Sequence, residues 1–210
     1  PTFITQLKNI KYRGSVSRVH FELNELPEIK GVSNEEMNTF FTVSPSIEYL
    51  ERASDACKYG EISKNPFVEF SFPTINNPEF SSERNHILSA TIQYTPYKLR
   101  RNEWSSSLKD ALKENIISIL SAYIPGINSL IKSTHIFTPV DFEQQFGIKE
   151  GSFNHGEMTL DQFFFMRPTI STSQYKSPIS NLFICGSSTH PGGGIHGANG
   201  YNAAKEILKA

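Results

Sequence analysis

The sequence predicts an α+β fold: a mixed or antiparallel sheet covered by helices, then a strand, a glycine-rich loop and a helix in a different style. Three observations predict it. Aromatic-rich segments alternate apolar and polar residues at the two-residue period of a half-buried strand. Two longer segments place apolar residues at the helical period. Near the end, a short apolar run leads into Gly186–Gly197 and a last helical pattern.

The strands come first. Val19, Phe21 and Leu23 alternate with His20, Glu22 and Asn24. Phe67 to Phe72 repeats the pattern between Pro66 and Pro73, and 87–94 gives a third strand ended by Pro96. Such alternation suits an antiparallel sheet with one covered face. A helix over 46–58 carries Ile47, Leu50 and Ala53 to Cys57 on one side and stops at Gly60. A stronger one carries Leu108, Leu112, Ile116, Ile119, Leu120 and Tyr123 opposite Lys109, Asp110, Lys113 and Glu114, and ends at Pro125-Gly126. Trp104 is placed as a staple at its start. A shorter helix begins at Pro139 with Thr138 as N-cap and stops at Gly147. Leu182 to Cys185 is a short buried strand. Ala198 to Lys209 is a helix with Lys205 and Lys209 near its C-terminus, where the dipole favours cations. Ser, Lys and Pro cluster at 173–180, which sets the expected boundary: a substrate-domain-like unit over 1–175 and a separate segment over 176–210.

Composition excludes several classes of function. The formal net charge of -1 leaves no basic excess to neutralise nucleic-acid phosphates. The longest apolar run, Phe163 to Met166, is far short of the ~20 residues of a membrane-spanning helix. A cytoplasmic location, or one peripheral to a membrane, is expected. Cys57 and Cys185 form no CxxC pair and no zinc spacing, which suits a reducing setting, with Cys185 as a small buried hydrophobe. His155-x-Glu157 has no further ligand nearby, so no metal is expected. Phe163, Phe164 and Phe165 suit core packing or an apolar substrate tunnel, and Arg167 suits an acidic ligand group or a surface ion pair.

The informative segment is Cys185-Gly186-Ser187-Ser188-Thr189-His190-Pro191-Gly192-Gly193-Gly194-Ile195-His196-Gly197. Three consecutive glycines permit tight turns and close approach of a ligand. The helix that follows offers unpaired N–H groups and a positive dipole end. Gly192, Gly194 and Gly197 satisfy GxGxxG, yet only residues 198–210 follow, too few for the second strand of a dinucleotide-binding unit. From spacing alone, a connecting turn and a ligand loop remain equally open.

The run from Asn181 to Gly194, followed by Gly197-Ala198-Asn199-Gly200-Tyr201-Asn202-Ala203-Ala204, resembles the C-terminal signature of phytoene-dehydrogenase-like flavoproteins, a family that includes carotenoid desaturases and isomerases. Gly151 to Met158 and Asp161 to Pro168 resemble the segment before that signature, and Ser17 to Pro27 resembles the start of the substrate domain. The resemblance implies an FAD-dependent oxidoreductase moving hydride to or from flavin on an apolar substrate. It implies that 176–210 return to the FAD-binding domain. Gly186 and Ser187 would lie near the pyrophosphate and ribityl chain, and Gly193, Gly194, Ile195 and His196 would present the loop and its N–H groups to the pyrimidine edge. Many relatives carry Asp where this chain has Ser187. His190 and His196 are expected to shape the loop rather than move protons.

The family's N-terminal GxGxxG unit has no counterpart in 1–150, where Gly14, Gly31 and Gly60 are isolated. The expected partner is therefore an N-terminal FAD-binding half, in this chain or another, with weak or no FAD binding by these residues alone. An apolar surface left uncovered would favour a homodimer. An amine-oxidase-like flavoenzyme and a non-catalytic assembly module are the competing expectations.

Overall fold

The structure is a computed structural model that describes residues 2–81 and 85–209. In chain order its elements are α1 (Phe3–Lys8), β1 (Val16–Leu23), β2 (Phe41–Val43), α2 (Ile47–Lys58), β3 (Phe67–Ser71), β4 (His86–Gln93), α3 (Ser106–Ser121), α4 (Ile127–Leu130), β5 (Ile131–Phe137), α5 (Pro139–Phe146) and α6 (Ala198–Leu208). They fall into two compact units, one of residues 15–145 and one of residues 1–14 with 146–210. The segment 176–210 thus shares a unit with 146–175 and the N-terminal residues.

The 15–145 unit is a five-stranded sheet in the order β2-β3-β4-β1-β5, antiparallel at every pairing. Alternation decides its faces. Val19, Phe21 and Leu23 of β1 lie beside Leu88, Ala90 and Ile92 of β4 and Val68 and Phe70 of β3, all buried on one side. Leu112, Ile116, Ile117 and Leu120 of α3, with Ile124 and Ile127 beyond it, complete this core. His20 and Glu22 take the opposite face. A one-residue slip of β1 would exchange the two sets, so burial enforces the register.

Side-chain caps position the helices. Ser46 Oγ accepts from Tyr49 N at 3.1 Å, and Ser105 Oγ from Leu108 N at 3.3 Å. Thr138 and Asp141 cap α5 reciprocally: Thr138 N and Oγ1 both donate to Asp141 Oδ2 at 2.7 Å, while Asp141 N donates to Thr138 Oγ1 at 3.4 Å. Gly147, at φ 67°, ends that helix. Trp104 is partly buried against the core just before the Ser105 cap; the fourth helical residue is Lys109, so no apolar staple pair forms.

Several expectations are corrected. Ile47 is exposed; α2 turns Tyr49, Leu50, Ala53 and Cys57 inward instead. Tyr123 lies beyond α3 and is exposed, and Ile117 takes a place in the stripe. β2 and β5 had no clear signal, because edge strands bury little: Lys132, Ser133 and His135 of β5 face solvent.

The other unit is mostly loops and short 3₁₀ turns. Its N-terminal arm is stitched to 157–162: Glu157 N donates to Lys11 O (2.8 Å), Lys11 N to Gln162 Oε1 (2.8 Å) and Gln162 Nε2 to Lys11 O (2.9 Å). Arg13 Nε donates to Glu157 Oε2 at 2.8 Å, which occupies the carboxylate of the His155-x-Glu157 pair. Gly14 is required here, since a Cβ would fall 1.9 Å from Glu150 O. Leu182 to Cys185 does not form a strand. It makes one antiparallel bridge, Lys176 to Phe183, and Ile184 N donates to Tyr175 O at 2.8 Å. With pairing on one side only, Leu182 and Cys185 remain exposed rather than buried. Phe164 and Phe165 are exposed too, not core.

Candidate functional site

The glycine-rich segment 186–197 is an open loop tied down from inside. Gly186 O accepts from Thr189 N (3.0 Å) and Thr189 Oγ1 (2.7 Å), which closes the turn after Cys185. Asn199, in the first turn of α6 and buried, donates through Nδ2 to Thr189 O (2.9 Å), His190 O (3.1 Å) and Gly192 O (3.2 Å), and lies 3.3 Å from Thr189 Oγ1. Tyr175 Oη donates to His190 O at 2.6 Å. One amide and one phenol thus gather the carbonyls of 189–192 on the protein side of the loop.

Arg167 braces it from a second direction. Its residue is 3 % exposed, and its guanidinium donates to Asn154 O (2.6 Å), Gly156 O (3.1 Å) and Ser187 O (3.4 Å). Among the described residues it has no carboxylate partner, and its burial overturns the surface ion pair: backbone carbonyls accept from this cation. Burial pulls its pKa below the ordinary arginine value.

The glycines divide by what surrounds them. A Cβ on Gly193 would lie 2.4 Å from Asn154 Oδ1, and one on Gly192 3.4 Å from the Arg167 guanidinium. These two allow the loop to pack on the protein. Gly186 (φ +97°) and Gly197 (φ +69°) have nothing within 4 Å of an added Cβ, and Gly194 (φ +107°) meets only the His196 ring. Their need for glycine is conformational, and the space beside them is free. Among the described residues, no backbone N–H from Gly193 to Gly197 donates within the chain. Those donors stand directly before α6, at its positive end.

The residues expected to hold a cofactor are therefore together in one loop. Gly186, Gly194, Ile195 and His196 are exposed; Ser187 and Gly193 are half-buried. The Ser187 carbonyl turns inward to Arg167, and His196 Nδ1 accepts from Ala198 N at 3.1 Å, so that ring caps α6. His190 shapes the loop through its carbonyl, while its Nδ1 is buried with no hydrogen-bond partner. Asn199, Tyr175 and Thr189 escaped the sequence analysis as site-forming residues. An asparagine in a helix's first turn after a glycine loop, a poor helix former, was the available signal. The open amides and the Cβ-free surface at Gly186 and Gly194 suit an electron-rich ring edge such as that of a flavin, which accepts such donors.

No protein-family model matches the chain. The rat pyridine nucleotide-disulfide oxidoreductase domain-containing protein 2 is 30% identical over 99% of this chain and 37% of its own length. A limonene dehydrogenase component from Castellaniella defragrans is 34% identical over 54% of the chain and 21% of its own length. A lycopene-forming phytoene desaturase of Pantoea ananas is 36% identical over 42% of the chain and 18% of its own length. The chain is a relative of the phytoene-desaturase-like oxidoreductases. It spans little more than a third of the full-length relative it matches end to end. Both cysteines of this oxidoreductase relative are free thiols, and burial pushes that of Cys57 up to about 11. Among the described residues no cluster of His, Cys, Asp or Glu suits a metal ion, and no helix is long and apolar enough to cross a membrane.

Proposed function

We propose that this chain supplies the flavin-edge loop and a substrate-side sheet of an FAD-dependent oxidoreductase that moves hydride between an apolar small molecule and the cofactor. One observation carries the proposal: among the described residues, five consecutive backbone N–H groups, Gly193 to Gly197, are undonated within the chain and stand at the start of α6. The named relatives, a phytoene desaturase and a limonene dehydrogenase component, support the reaction class and an apolar substrate. Bound FAD would supply the hydride-accepting or hydride-donating centre.

The chain's own residues bind and orient. Gly194, Ile195 and His196 would offer backbone N–H groups to the electron-rich edge of the flavin, where they would stabilise negative charge. Gly186 and Ser187 would lie toward its ribityl and pyrophosphate chain. Gly193 contributes by letting the loop settle on Asn154. Asn199, Tyr175 and Arg167 hold these donors in place before the cofactor arrives, which reduces the ordering cost of binding.

A nucleotide-binding half, in a longer form of this chain or in a partner, would complete the site. Leu160, Phe165, Ile170, Ile195 and Leu208 are exposed on the loop-rich unit, a set of apolar side chains that such a half, or a second copy, would cover. A visible absorbance spectrum of the purified chain, before and after FAD addition and desalting, tests the proposal. Flavin bands are expected with the completing half present, and Gly194→Val should abolish them while leaving the far-UV circular dichroism unchanged. Retention of FAD by Gly194→Val at wild-type stoichiometry would remove the loop from the site.

A further inference from the structure

The 15–145 unit contains a cleft of about 630 Å³ between residues 97–104 and α5, within the size range of small-molecule sites. Its lining carries three basic residues and one acidic one. Lys98, Arg100 and Arg101 put three cations into four consecutive residues, all of them exposed. The nearby carboxylates leave two of these cations unpaired among the described residues. Arg100 stands 3.9 Å from Glu61, with both side chains 58% exposed, which makes a weak pair. Glu103 also borders the cleft, and Glu143 accepts from Tyr97 Oη. Among the described residues, Lys98 and Arg101 have no ion-pair partner.

The backbone carrying these cations is fixed. Arg100 N donates to Gly60 O at 2.9 Å, and the approach is so close that a Cβ on Gly60 would lie 2.9 Å from Arg100 N. Trp104 Nε1 donates to Pro96 O at 3.0 Å, which anchors the other end. Three cations within four residues raise the local positive potential, and a bound anion lowers it. Two guanidinium forks and an ammonium match the oxygens of a tetrahedral oxyanion better than a single carboxylate does. We propose that this cleft is a binding site for a phosphate-bearing ligand, its phosphate held by Lys98, Arg100 and Arg101 and its remainder resting against Tyr97 and Trp104.

Trp104 is the chain's single tryptophan and lines the cleft, so its fluorescence reports occupancy directly. The full chain is titrated with inorganic pyrophosphate at constant ionic strength. A saturable change is expected, weakened about tenfold or more in Lys98→Glu and Arg101→Glu, less in Arg101→Gln, and unaltered in Lys8→Glu, which changes net charge equally. Circular dichroism of each variant checks folding. Co-sedimentation with phosphatidylcholine vesicles, with and without phosphatidic acid, separates the two sources of phosphate. Arg101-dependent sedimentation on phosphatidic acid assigns a lipid headgroup, and pyrophosphate binding without sedimentation assigns a soluble ligand. Binding of neither, or an equal response in Arg101→Glu and wild type, overturns the proposal.

Discussion

Asn199 shows how much a single side chain organises in the candidate site. Its amide is directed only at oxygens: three carbonyls and the Thr189 hydroxyl. Replacement by alanine strands those acceptors, and a loss of about 2 kcal/mol is expected, the cost of unmet buried polar groups. Asn199→Asp should cost more than Asn199→Ala, although aspartate is nearly isosteric, because it sets a carboxylate against the same oxygens. Urea unfolding, with amide exchange read over 187–197, checks both. Equal stability of Asn199→Asp and wild type would show that the amide is not the fastener. Arg167 works in the same way at longer reach, buried with no carboxylate partner among the described residues.

Among the elements, α5 gives the clearest electrostatic case. Burial raises the pKa of Asp141, but hydrogen bonds from Lys109 and Thr138 outweigh it and hold the carboxyl below its usual range. The Lys109 ammonium is 2.7 Å away. A depressed folded-state pKa means stability that is present above the unfolded value, about 3.9, and lost as pH falls through the folded one. Asp141→Ala should therefore destabilise the chain by about 1–2 kcal/mol at pH 7, and the gap to wild type should narrow below about pH 4. Thermal unfolding across pH 3–7 measures it. A gap of constant size down to pH 3 would mean that the acid group contributes only shape.

For the molecule as a whole, apolar burial is very unequal. The contiguous core lies entirely in the 15–145 unit, built from β1, β3, β4 and α3. In the loop-rich unit, Tyr175 and Ala203 are the buried hydrophobic residues among those described. Amides with few buried contacts open at low free energy. Native-state hydrogen exchange should find the slowest amides in β1, β4 and α3, with α6 exchanging at least about a hundredfold faster. Similar rates in β1 and α6 would contradict this distribution.

Much of this was legible in the sequence, for a physical reason. Local periodicity decides β1, β3, β4, α2, α3 and α6, since a half-buried strand and an amphipathic helix write their own patterns. Ser46, Thr138, Gly60 and Gly147 mark helix ends by backbone chemistry that acts over a few residues. The glycine run identified the loop itself. Tertiary structure alone decided which glycines pack and which stay open, because what crowds Gly193 is Asn154, distant in sequence, and no such partner crowds Gly194. It also decided that Leu182–Cys185 lacks a sheet, that Arg167 is braced by carbonyls, and that Asn199 and Tyr175 hold the loop. Each of these depends on a partner brought near by folding, and such a partner leaves no local trace.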